Sequence, residues 1–157
     1  MRRYSAIYDL ALSTSAATNT YPLYFTTAAA ATLQVYDMMF GFDAATPVDA
    51  PVTVAFSYAS AASAGTTITP TPIDQNEGAS VHTVGQQCTG VTLGVALPAA
   101  LWATSFNARV TARWAAIDSD SRLCLKAGLT TATSGLILNQ QPGTASITLR
   151  NSVWYAE

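Results

Sequence analysis

Pro51-Val52-Thr53-Val54-Ala55-Phe56-Ser57-Tyr58 sets valines and aromatics against Thr and Ser at alternate positions. A period of two is that of an extended strand with one face buried and one face wet. The pattern returns on both sides of this stretch. Thr32-Leu33-Gln34-Val35-Tyr36-Asp37-Met38 alternates, and so does Ala145-Ser146-Ile147-Thr148-Leu149-Arg150-Asn151-Ser152-Val153-Trp154. Leu123-Cys124-Leu125-Lys126 and Leu136-Ile137-Leu138-Asn139 read as two shorter strands, while Tyr4 to Leu10 carries a mixed pattern.

Turn chemistry separates these runs. Gln141-Pro142-Gly143-Thr144 combines a residue that presets φ with one that accepts positive φ. Gly65 opens a Thr-rich stretch that ends in Pro70-Thr71-Pro72, and the whole segment from Ala59 to Thr71 reads as a long loop or edge region. Helix signals are weak. Ala28-Ala29-Ala30-Ala31 is short and uncapped, so it reads as a loop or turn, and Pro98-Ala99-Ala100-Leu101-Trp102 suffices for one helical turn. Short strands with frequent turns predict an all-β chain, an antiparallel β-sandwich or barrel with little helix. The 157 residues are long enough for one domain with a real core, and no linker or internal repeat divides them.

Charge is scarce. The chain has seven basic and nine acidic residues, 10 % of its length, against roughly a quarter in an ordinary soluble domain. The interval from Asp9 to Asp37, that from Asp49 to Asp74, and that from Glu77 to Arg109 apart from His82 hold no ionisable acid or base of the Asp, Glu, Lys, Arg or His type. Interspersed charge keeps monomers apart, so such a surface is expected to be covered by partners. Net charge is −2, which offers no electrostatic capture of nucleic acid. Arg109, Arg113, Arg122 and Lys126 lie close in sequence, but Asp118 and Asp120 sit among them, as on a solvated face of mixed sign. No apolar run approaches a membrane span, and Asp9 interrupts the stretch that would form a secretory signal. Cys88 and Cys124 have neither metal nor redox spacing, so both are expected reduced and half-buried, as in a protein assembled inside a cell.

Catalytic chemistry finds little footing. His82, the only histidine, has no Gly-x-Ser-x-Gly elbow or nucleophilic cysteine to serve, and it reads as a structural or surface residue. Asp118-Ser119-Asp120-Ser121 starts like an oxygen-ligand calcium loop but lacks the later Gly and Glu, leaving an Asx-type turn. Asp74 and Glu77 fall in a loop bracketed by Pro72 and Gly78. Gly85-Gln86-Gln87-Cys88-Thr89-Gly90 reads as a loop without a nucleotide fingerprint. Trp102, Trp114 and Trp154 suit a core or an interface better than a sugar platform. No enzyme activity, metal or cofactor is expected.

Leu125-Lys126-Ala127-Gly128, Gly135-Leu136-Ile137-Leu138-Asn139 and the ending Val153-Trp154-Tyr155-Ala156-Glu157 resemble those of small tailed-phage virion proteins of the capsid decoration, or cement, type. Ala64-Gly65-Thr66-Thr67-Ile68-Thr69-Pro70 and Arg3-Tyr4-Ser5-Ala6 fit the same resemblance, while Tyr155-Ala156 stands where that family carries an acid. The resemblance implies a jelly-roll-like sandwich, commonly a homotrimer, that binds the major capsid protein on the outer surface of the virion after synthesis in the host cytoplasm. It brings no catalytic residue. The expected contacts are Arg2, Arg3, Tyr4, Tyr8, Arg150, Trp154 and Tyr155, with residues 1–10 an arm whose deletion leaves the fold intact. The alternative is a receptor- or carbohydrate-binding domain of a fibre or tail, read by Trp102 and Trp114.

Overall fold

The computed structural model describes residues 1–12, 20–26, 31–43, 49, 51–63, 66–93, 100–127, 135–140 and 147–157. The expectations at Ala28–Ala31, Pro98–Ala99 and the Gln141–Thr144 turn lie outside them. Twelve strands and no helix occur among the described residues, in two antiparallel six-stranded sheets packed face to face. The expected all-β sandwich is the fold.

The first sheet runs β10 (Leu123–Leu125), β3 (Leu33–Asp43), β12 (Ile147–Ala156), β1 (Arg3–Leu12) and β6 (Thr71–Pro72). A further strand, β9 (Ala112–Ala115), shares the β10 side of β3. The second sheet runs β5 (Thr66–Ile68), β7 (Val84–Leu93), β2 (Thr20–Thr26), β11 (Gly135–Gln140), β4 (Pro51–Ser63) and β8 (Trp102–Asn107). The far ends of β4 and β7 also pair, Ala59 with Leu93 and Ser63 with Thr89, so this sheet curls back on itself.

The inward side chains follow from alternation. Tyr4, Ala6 and Tyr8 of β1, Val153 and Tyr155 of β12, and Leu123 and Leu125 of β10 meet Leu23, Phe25, Val52, Val54, Phe56, Val84 and Leu138 of the other sheet in one cluster. Strand β3 breaks strict alternation: Leu33 and Val35 are buried, then Met38 and Phe40. The register shows why. Trp154 pairs with Asp37 and Tyr155 with Val35, so Tyr36 is an extra residue, a bulge that restores the inward phase.

Three sequence expectations change. Gly85–Gly90 is not a loop but the middle of β7, hydrogen-bonded to β2 and β5, with Gln87 at φ 50°. Most of Ala59–Thr71 is strand and not a long loop, because β4 extends to Ser63 and β5 follows at the edge of the second sheet, in keeping with the edge alternative. Residues 2–10 form no free arm. Arg2 exchanges both backbone hydrogen bonds with Glu157, at 3.1 and 2.9 Å, and β1 then pairs with β12 from Arg3–Ala156 through Leu12–Ile147. Removing residues 1–10 takes out an interior strand and three buried side chains, so the fold is not expected to survive it.

The second sheet is buried on its other face too. Tyr24, Ala59, Cys88 and Ile137 form a second cluster, and Ala55 and Ser57 are buried on β4. Gly135 is required here: a Cβ at that position would run into the Tyr24 ring, which lies directly against the glycine.

Candidate interaction surface

His82 is 2 % exposed, but it is not arranged as a base for a nucleophile. Its Nδ1 lies 2.9 Å from the Thr26 carbonyl, and its Nε2 has no partner among the described residues. Ser80 Oγ faces the His82 backbone instead, accepting its N–H at 3.1 Å, and also accepts the Tyr155 hydroxyl at 2.7 Å. The Ser80 hydroxyl donates to the Glu157 carboxylate, which also takes the Val81 N–H at 3.1 Å. The network ties the loop at 73–83 to the end of β12. Tyr4 strengthens the tie by donating to the Gly78 carbonyl at 2.9 Å while stacking on Tyr155 at 5.6 Å.

Among the expected contact residues, Tyr4, Tyr8 and Tyr155 are fully buried in the core of this chain, so they are corrected from surface to core. Their alternation with Ala6 and Val153 drives them inward. Burial raises the hydroxyl pKa of Tyr8 to about 12 and that of Tyr155 further still. Arg2, Arg3 and Arg150 are exposed, and Trp154 is half-buried on the outer face of the first sheet.

That outer face is ordered in rows by register. Ile7, Ser152, Met39 and Arg113 form one row; Ser5, Trp154, Asp37 and Ala115 form the next; Arg150 and Gly41 belong to a third, with Asp9 opposite Arg150 in the ladder. Ile7 is 59 % and Met39 42 % exposed. A shallow hollow of about 250 Å³ lies between Ile7, Met39, Gly41, Thr111 and Arg150. Charge on this face is paired: Arg113 grips Asp37 through Nε at 3.0 Å and Nη2 at 2.5 Å. An exposed pair of this kind contributes little stability, but it leaves these two charges balanced.

A second group of charges lies at one end of the sandwich, while Asp49 and Arg109 flank Asn107 at the end of β8. Two open clefts of about 630 and 340 Å³ share Met1 and Arg3 as a common wall; the first is edged by Asp74 and Glu77, the second by Asp118 and Arg122. Asp118 is an Asx turn as expected. Its carboxylate accepts the Ser121 and Asp120 N–H groups at 2.9 and 3.1 Å, and these bonds, with Ser121 foremost, lower its pKa. No group of three or more His, Cys, Asp or Glu suited to a metal occurs among the described residues. No described helix is long and apolar enough to cross a membrane.

Trp102 and Trp114 point into the edge of the core, 6.0 Å apart, with Trp102 stacked on Phe40. Cys88 is buried, its thiol raised to about 11 by desolvation, and Cys124 is half-buried; both are free. Sequence reasoning missed Ile7 and Met39, whose exposure depends on which phase of β1 and β3 faces inward.

No family model matches the chain, and no curated protein or solved structure matches it either.

Proposed function

We propose that this protein is a structural component of a phage virion, a decoration protein that binds the outer surface of the major capsid protein shell. The observation that carries this reading is the outer face of the first sheet, with Ile7 and Met39 exposed beside Trp154 and Arg150 and with Arg113 paired to Asp37. A contiguous face of this composition fits a protein surface, because its burial desolvates few ions while removing apolar area from water. The resemblance of the C-terminal motifs supplies the occupant. Its mechanism is mechanical: each copy spans neighbouring shell subunits, and the buried area resists their separation.

Ile7→Lys with Met39→Lys replaces the two exposed apolar side chains with cations beside Arg113 and Arg150, without touching the core. The double variant should retain the β-sheet circular dichroism of the parent and lose at least tenfold in affinity for capsids. Retained affinity would refute the assignment of this face. The resemblance carries threefold self-association with it.

A further inference from the structure

Most strand edges in this sandwich are protected. Natural sheets guard their edges with short strands, proline or charge, because an open edge is a template for another strand. Here β5 has three residues and is followed by Pro70; β6 contains Pro72; β10 has three residues between Arg122 and Lys126; β9 carries Arg113. Strand β8 has none of these devices. It is six residues long, Trp-Ala-Thr-Ser-Phe-Asn, without proline or charge. It ends the second sheet, pairing with β4 from Phe56–Trp102 to Pro51–Asn107, and no strand among the described residues pairs with its other side.

The sequence of β8 is nearly symmetric about Thr104: aromatic, small, Thr, small, aromatic. We propose that β8 pairs antiparallel with β8 of a second copy of this chain, about a twofold axis at Thr104, joining the two second sheets into one continuous sheet. In that register Trp102 lies opposite Phe106 of the other copy, Ala103 opposite Ser105, and Thr104 opposite itself. Residues of equal parity meet, so inward side chains face inward on both sides. Trp102, Thr104 and Phe106 are the half-buried inward set, and Ala103 and Ser105 are exposed outward.

Cross-strand aromatic pairs are favourable, and here they extend a cluster already present: Phe40 lies 5.9 Å from Trp102 and 6.0 Å from Phe106. Charge also favours a second copy. The paired residues 102–106 carry no charge, so they meet no repulsion from their own image; Asp49 and Arg109 lie beyond them, at Asn107. Thr53 Oγ1 and Ser105 Oγ, 2.7 Å apart on the outward side, satisfy each other and present no buried ion to the joint. The contact is isologous and therefore closes at two copies. It does not rest on the capsid reading.

The test is solution mass by light scattering at roughly 100 µM, where even a small interface of the transient class associates. Twice the chain mass is expected. The double variant A103K/S105K puts lysines of the two copies opposite one another, and A103E/S105E does the same with glutamates. Each should run as a monomer, and mixing them should restore the two-chain mass, which variants that merely misfold would not do. Without any variant, hydrogen exchange of the amides at 102–107 should slow as concentration rises. A monomeric or three-chain parent, variants that still dimerise, a mixture that stays monomeric, or β8 exchange independent of concentration would each overturn the pairing.

Discussion

Phe40 on β3 and Trp102 on β8 stack across the two sheets, their centroids 5.9 Å apart and their planes 12° from parallel. This contact closes the open edge of the sandwich, with Phe106 and Trp114 packed around it. Phe40→Ala should cost about 3–5 kcal/mol, the range for a buried aromatic. In a double-mutant cycle with Trp102→Ala, the coupling should be about 1 kcal/mol, measured by denaturant unfolding. Additive losses would mean that the rings do not support one another.

The two inward tyrosines of β1 should respond oppositely to loss of the hydroxyl. Tyr4 donates to the Gly78 carbonyl at 2.9 Å, whereas the buried Tyr8 hydroxyl makes no hydrogen bond of good geometry among the described residues, the nearby Gln87 side chain offsetting only part of the effect of burial. Tyr4→Phe should destabilise by about 1 kcal/mol, and Tyr8→Phe should be neutral or stabilising, because it removes a desolvated group that gains little from burial. Thermal melts of the two variants decide this, and equal losses would contradict it.

Alkaline pH should unfold the protein early. Cys88 rises from an ordinary 9.0 to about 11 and Tyr8 from 10.0 to about 12, both through burial, and Tyr155 is raised as well. The unfolded chain releases these protons first, so over the interval between unfolded and folded values the native state binds more protons and stability falls as pH rises. The contribution is intact below pH 9 and is lost progressively above it. A melting temperature that holds from pH 7 to 9 and then drops through pH 11 is expected, with a shallower drop above pH 10 in Tyr8→Phe. A constant melting temperature to pH 11 would contradict the burial of these groups.

The sandwich was legible where apolar residues alternate without interruption. Pro51–Tyr58 and Ile147–Trp154 announce their strands because Val52, Val54 and Phe56 in the first, and Ile147, Leu149 and Val153 in the second, fall on one phase of a period of two. Strand β7 was hidden, since Gly85, Gln86, Gln87, Thr89 and Gly90 carry almost no local strand signal; pairing with β2 and β5 holds it extended. The bulge at Tyr36 was equally hidden, because its extra residue is defined only against β12. The terminal position of Tyr4 and Tyr8 points to the surface, but their spacing around Ala6 fits an inward face. Ile7 and Met39 could be placed outside only once that phase was known.

Scarcity of charge reads differently on the folded chain. Arg3, Asp74, Glu77, Asp118 and Arg122 gather around neighbouring clefts at one end, whereas β8 itself carries no charge, with Asp49 and Arg109 only at its Asn107 end. That division could not be seen in sequence, because these five residues come from three separate segments.

The most direct measurement is co-sedimentation of the protein with empty capsids made from the genome that encodes it, followed by the temperature at which those capsids rupture. The protein should pellet with the shells at a fixed, saturable ratio and raise their rupture temperature. Protein that stays in the supernatant at saturating capsid concentration, with rupture unchanged, would contradict a decoration role.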